Sequence, residues 1–431
     1  MVSSLLRIVF VLLVLSAPRI LAADTVKKPN IVFILADDLS WHDLRVYGNK
    51  WHDTPNLDRL ASQGMRFTHA YAAAPICSAS RVALLTGRSP ARLHFEFVTK
   101  EPGTKVETRP MTVPEYPLNL PLEEVTIGEM LGQAGYRTGY YGKWHVSQHT
   151  GGYLGWSTTH GPLQQGFAEG DSEFGSHPYS ERPPEAPKGA KKAKAEKVQR
   201  PPYPQGEYGA DALTDKAIDF IKRRKAEPFF MVLSHYYVHT PVRSRAQWLV
   251  DKYRQRLPQE AGEGRAAFGA MVETLDHLVG RLLKALDDQG VADNTIVIFT
   301  SDNGGHPEYS ANGPSRGSKW NVYEGGIRVP LIVRWPGKVQ AGSFSMAPVI
   351  GADLFPTLAA VTGAAIDTKI PRDGADVSPV WLGKATDVAR TQPMVWHFPY
   401  YHPETGYDSA RDSIGVDDFA VSKTLPQTAI R

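Results

Sequence analysis

The stretch PNIVFILADDL, residues 29–39, is an unbroken apolar run that ends in two adjacent carboxylates. It is too short for a typical helix and rich in β-branched and aromatic side chains. It therefore reads as a strand buried on both faces. Runs of the same character recur downstream: FFMVLSHYY at 229–237, TIVIFTS at 295–301 and VPLIVRW at 329–335, with YRTGYYGKWH at 136–145 a weaker case. Helical patterns lie between them. TPNLDRLASQG starts on Thr54 as N-cap with Pro55 at the first helical position, and Gly64 stops it. In the segment 266–290, Phe268, Met271, Val272, Leu275, Leu278, Val279, Leu282, Leu283 and Leu286 share one helical face. Continuous apolar strands alternating with helices predict an α/β fold, a large mostly parallel sheet sandwiched by helices.

Such sheets bind ligands beyond the carboxyl ends of their strands, and each strand here is followed by residues capable of chemistry. Asp37 and Asp38 follow the first. Lys143 and His145 follow the Tyr136 strand, His235 and His239 the Phe229 strand, and Asp302 and Asn303 the Thr295 strand. Asp37, Asp38, Asp302 and Asn303 are oxygen donors; brought together, they would suit a hard cation such as calcium or magnesium. Separate turn roles are the plainer alternative for each pair. Cys77 is the single cysteine of the chain, just before SRVALLTG, which reads as a helix opening near Ser78 or Ser80. A helix N-terminus favours anions and lowers a thiol's pKa, and Arg81 lies about one turn on. A small buried hydrophobe is the plainer reading of that cysteine.

The 431 residues, 42% hydrophobic, suffice for a large core. A formal net charge of +3, with no basic stripe, gives no reason to expect a nucleic-acid partner. Residues 1–23 have the layout of a secretory signal peptide: Arg7, an apolar run over 8–15, then Ala22 and Ala23. The run is short for a spanning helix, and Pro18 and Arg19 interrupt it, so no stable membrane insertion is expected after cleavage. With one cysteine and no Asn-x-Ser/Thr sequon, a periplasmic or secreted bacterial protein is expected. Residues 180–205 are Pro-, Lys- and Ala-rich without periodicity and read as a mobile, solvated insertion.

The chain resembles the type I sulfatases of the alkaline-phosphatase-like superfamily. PNIVFILADDL, TPNLDRLASQGMRFTHAY, CSASRVALLTGR, GYYGKWH, HTP, TSDNGG and YEGGIRVP occur in that family's order. The resemblance implies that Cys77 is oxidised to formylglycine by a maturation enzyme. The family motif is usually Cys-x-Pro-x-Arg; Ala79 stands where proline is commoner. It further implies that Asp37, Asp38, Asp302 and Asn303 bind one calcium ion, which residue 77 also touches, and that Arg81 holds the formylglycine hydrate. Lys143 and Lys319 would grip the sulfate of a sulfate ester. His239 would contact the sulfate and help protonate the leaving alcohol, with Lys319, and His145 would be the base for the second hydroxyl. His235 is expected to lie behind the site. The implied organisation is a signal peptide over 1–23, a catalytic domain over 24–400 and, over 401–431, the start of an incomplete C-terminal antiparallel subdomain. The expected activity is hydrolysis of a sulfated saccharide or aryl sulfate. The alternatives are a phosphodiesterase or phosphonate monoester hydrolase of the same superfamily, and a catalytically silent binder of sulfated glycan.

Overall fold

The computed structural model describes residues 27–99, 111–150, 154–172, 201–209, 211–401 and 426–431. The signal-peptide reading over 1–23, most of the 180–205 insertion and most of the 401–431 segment lie outside the described residues.

In chain order the strands are β1 (Asn30–Ala36), β2 (Met65–Phe67), β3 (Ala70–Tyr71), β4 (Arg137–Gly142), β5 (Glu169–Asp171) and β6 (Phe229–Ser234). They continue with β7 (Thr295–Ser301), β8 (Leu331–Arg334), β9 (Ser343–Ser345), β10 (Val349–Ile350), β11 (Val395–Phe398) and β12 (Gln427–Ile430). The main sheet runs β5-β4-β6-β1-β7-β8-β2-β9. From β5 through β7 every pairing is parallel. β8 departs from the parallel expectation, running antiparallel to both β7 and β2. The polypeptide between β7 and β8 turns back through loops and one short helix instead of crossing a face, so β8 returns in the opposite direction.

Helices cover both faces, which explains the unbroken apolar strands. Val32, Ile34 and Ala36 of β1 face α1 (Pro55–Ser62), α4 (Ala212–Arg224) and α6 (Gly262–Asp288). Ile31, Phe33 and Leu35 face α2 (Cys77–Thr86), α3 (Ile127–Gln133) and α8 (Leu354–Thr362). Between these lie α5 (Gln247–Arg256), packed on α6, and the short α7 (Glu324–Ile327). Thr54 sits at the N-cap of α1 as the sequence indicates, but its side chain does not cap. Asp276 of α6 does so across the interface, its carboxylate accepting from the backbone N–H of Asn56 at 3.1 Å and of Leu57 at 2.8 Å.

At the C-terminal end, β11 and β12 form a two-stranded antiparallel sheet. Trp396 and Phe398 of β11 pack with Ile76, Ala79 and Trp320, beside the segments that carry Cys77 and Lys319. Among the described residues the C-terminal antiparallel element consists of these two strands, the second formed by residues 427–430.

The register aligns the strand ends. Ala36 pairs with Ser301, so Asp37 and Asp302 leave neighbouring strands at one level, and the Asp302 N–H donates to Ala36 O at 3.1 Å. Gly142 pairs with Ser234, and the Lys143 N–H donates to Ser234 O at 2.9 Å. Gly142 has φ +104°, and a Cβ there would lie 1.9 Å from Ser234 O. Glycine is therefore required for β4 to deliver Lys143 at this edge.

Candidate active site

Asp37 and Asp38 leave β1 fully buried, with Asp38 at φ +59°, a left-handed conformation that Asp and Asn tolerate better than most residues. The Asp38 N–H donates to Asp302 Oδ1 at 3.1 Å. Cys77 is the first residue of α2, one or more positions earlier than the sequence reading placed the helix start, with extended Ile76 as N-cap. Its Sγ lies 3.6 Å from Asp37 Oδ1 and 3.8 Å from Asp38 Oδ1.

The thiol is not the low-pKa group that a helix N-terminus predicts. Burial pushes it well above its ordinary value, and Asp302 and Asp37 add to that while Lys143 and Lys319 oppose it. An unmodified Cys77 is thus a protonated thiol among carboxylates, a poor nucleophile.

Three cations face three carboxylates here, all buried. Lys143 Nζ donates to Asp37 Oδ2 and Lys319 Nζ to Asp38 Oδ2, each at 2.6 Å. Arg81 Nε donates to Asp302 Oδ2 at 2.9 Å. Burial pushes Asp37 up to about 7, helped by Asp302 and Asp38 and opposed by Lys143. Burial also works against Asp38, but Lys319, His239 and Lys143 together hold it well below the carboxylate range. Both lysines remain protonated: burial would lower them, and Asp37 and Asp38 respectively outweigh it.

Lys319 is brought here by contact between two glycine motifs. The Gly304 N–H donates to Gly326 O at 2.9 Å, and a Cβ on Gly304 would sit 2.0 Å from Gly325 O. The Lys319 N–H then donates to Gly305 O, and the Trp320 N–H to Pro75 O, two residues before Cys77.

His239 lies with Nε2 3.6 Å from Asp38 Oδ2, and its Nδ1 is 2.7 Å from Thr240 O. Nδ1 therefore carries the hydrogen of the neutral ring, and Nε2 presents its lone pair to the site. Burial and Lys319 hold its pKa well below the ordinary value, against the pull of Asp38. His145 has φ +59° and a buried Nδ1 without a hydrogen-bond partner, and its ring lies 5.3 Å from that of His149. Burial, Lys143 and His149 keep it well below 6.5. His235 lies apart, with Nδ1 3.9 Å from Asp211 Oδ2 at the start of α4.

The donors suit a hard cation. Ligand atoms of Asp37, Asp38, Cys77 and His239 all lie within 4.8 Å of one another. Asn303 Nδ2 donates to Asp38 Oδ1 at 2.8 Å, while its own Oδ1 is buried without a partner. The two carboxylates of that group, with the orphaned amide oxygen, match the oxygen preference of calcium, while the thiol and imidazole are softer donors. Asp302 shares the site, but its carboxylate is engaged by Arg81 and the Asp38 N–H.

Ser234 and Tyr140 also reach this cluster and were not legible in the sequence. Both hydroxyls donate to Lys143 O. A serine at the end of a strand was the only signal.

Comparison with known proteins finds relatives over most of the chain. The family model described as Sulfatase matches residues 29–364. The chain is 35% identical over 396 residues to N-acetylgalactosamine-6-sulfatase of Canis lupus familiaris, covering 86% of this chain and 69% of that protein. It is 34% identical over 410 residues to arylsulfatase A of Homo sapiens, covering 88% and 72%. Among solved structures, Ps i-CgsB in complex with k-i-k-neocarrahexaose aligns with a TM-score of 0.69 at 29% identity, covering 86% of this chain and 80% of that one.

Proposed function

Because this chain belongs to the sulfatase family and is a sulfuric ester hydrolase, we propose that it is an exported, calcium-assisted enzyme. In this reading it acts through formylglycine at position 77 on sulfated saccharides or aryl sulfates. The observation that carries the reading is the convergence of Asp37, Asp38, Cys77, Lys143, His239 and Lys319 at the carboxyl edge of the parallel part of the main sheet.

Calcium, held by Asp37, Asp38, Asn303 and Asp302 together with residue 77, would supply positive charge to polarise the sulfate and favour an ionised nucleophile. Formylglycine, as its hydrate, would supply two hydroxyls on one carbon, one to serve as the nucleophile toward sulfur and the other to be deprotonated so that sulfate can leave. The high pKa of the unmodified thiol supports the need for such a conversion.

The chain's own residues serve these steps through their charge and proton states. Lys143 and Lys319 carry fixed positive charge in a buried site, where it acts most strongly on developing negative charge. Arg81 stands one turn along α2 from residue 77. His239 presents Nε2 to the ester; a bound sulfate brings negative charge beside it and raises its hold on a proton, which it then delivers to the leaving oxygen with Lys319. His145, neutral near pH 7, accepts the proton of the second hydroxyl. Its depressed pKa extends the neutral form to lower pH. In calcium-saturated enzyme, where the metal would keep Asp37 ionised, the kcat profile is therefore expected to stay level from neutrality to pH 6.5 and to fall only well below it, and an acid limb centred at or above 6.5 would contradict this role.

Export rests on the signal-like segment 1–23, and conversion of Cys77 requires a maturation enzyme that accepts Ala79. Among the described residues no helix is long and apolar enough to cross a membrane. The carbohydrate named for N-acetylgalactosamine-6-sulfatase and the oligosaccharide bound to Ps i-CgsB support a sulfated saccharide over an aryl sulfate. The function is tested by the relative kcat/KM for matched aryl sulfate and aryl phosphate esters. A preference for sulfate supports it, and a preference for phosphate moves the chain to the phosphodiesterase or phosphonate hydrolase reading.

A further inference from the structure

We infer that Ser234, with Tyr140, is a positioning residue that sets Lys143 and Arg81 relative to position 77; this rests on the hydrolase reading above. Ser234 holds the Lys143 peptide from both sides. Its carbonyl accepts the Lys143 N–H at 2.9 Å, and its hydroxyl donates to Lys143 O at 2.8 Å. Two further donors meet the same carbonyl: Arg81 Nη1 at 2.6 Å and the Tyr140 hydroxyl at 2.7 Å. Arg81 Nη1 also donates to Ser234 Oγ at 2.7 Å, using the acceptor side of the hydroxyl whose single proton goes to Lys143 O. Through Nε, the same guanidinium reaches Asp302. One oxygen thus ties together the ends of β4 and β6 and, through Arg81, α2 and β7. Every member of the network is buried.

The number of donors separates positioning from simple satisfaction of buried groups. A carbonyl oxygen has two lone pairs and here receives three donors. Ser234→Ala would leave Lys143 O with Arg81 and Tyr140, Arg81 Nη1 still on Lys143 O, and the Lys143 N–H on the backbone of residue 234. Tyr140→Phe would likewise leave two donors. Tyr140→Phe strands none of these buried groups and should cost little stability, whereas Ser234→Ala leaves one Arg81 Nη1 hydrogen without its acceptor and should cost more. Both, however, free the two cations to shift, and small misplacements of charged groups are costly in the transition state.

The test is kcat and KM for an aryl sulfate, per mole of converted residue 77, alongside urea midpoints. Tyr140→Phe is expected to lower kcat roughly 10-fold with KM and urea midpoint little changed, and Ser234→Ala to lower kcat at least as much with a lower urea midpoint. Ser234→Thr, which keeps the hydroxyl, should recover most of the loss. A Tyr140→Phe or Ser234→Ala variant with the wild-type kcat, or a Tyr140→Phe loss of kcat that follows a loss of stability, overturns the inference while leaving the hydrolase reading intact. A converted wild-type protein without turnover on any sulfate ester overturns both.

Discussion

Replacing Cys77 by alanine is expected to lower kcat/KM by roughly 10⁴-fold or more, as removal of a nucleophile does in other hydrolases. The fold should survive. Cys77 is a small buried side chain at the start of α2, its hydrogen-bond partners Asp37 and Asp38 are also held by Lys143 and Lys319, and alanine suits a first-turn position. Unchanged circular dichroism with lost turnover is the expected pair of results. Cys77→Ser refines the test. Serine offers one hydroxyl, so it can take a sulfuryl group but has no second hydroxyl whose deprotonation would expel it. Turnover should stay lost with serine. Cys77→Ala protein that still turns over sulfate esters would remove residue 77 from the mechanism.

Asp38→Asn is expected to lower kcat/KM by roughly 10²–10³-fold, the scale seen when one preorganised electrostatic group is lost from an active site. Asparagine is the informative substitution because residue 38 sits at φ +59°, where asparagine is tolerated and alanine adds strain. The loss therefore reports charge. Asp38 binds Lys319 at 2.6 Å, receives Asn303 at 2.8 Å and lies 3.6 Å from His239. Neutralising it leaves Lys319 as a buried cation without its partner, which costs about 3–5 kcal/mol of stability. The urea midpoint should fall along with activity. Because Asp38 also belongs to the candidate cation cluster, chelation of the wild-type enzyme should abolish activity and added calcium should restore it. Asp38→Asn should need much more calcium for its residual rate. An enzyme indifferent to chelator would contradict the calcium assignment.

The parts of the fold that could be read from sequence are those where burial imposes a pattern. β1, β6 and β7 are covered by helices on both faces, so their sequences are continuously apolar and stand out. A three-residue strand such as β2, β5 or β9 is too short to carry any period, and these were not legible. Strand direction was also hidden: VPLIVRW looks the same whether β8 runs parallel or antiparallel, because direction is decided by the path of the connection. In the site, residues immediately after strand ends were legible, since the sheet itself carries them to one edge. Ser234 and Tyr140 were not, because they act by hydrogen bonds to the backbone of another residue, Lys143, whose proximity exists only after the strands pair. The proton state of Cys77 was misread for a related reason. A helix N-terminus can be seen in sequence, but the burial and the two carboxylates, Asp302 and Asp37, that outweigh it come from distant segments.

The most direct test is peptide mass spectrometry of the protein exported by its native host, directed at the peptide that contains residue 77. The account predicts the mass of an aldehyde, or of its hydrate, in place of the thiol. A thiol retained in properly exported protein would contradict the proposed mechanism and leave a sulfatase fold that binds sulfated glycan without turning it over.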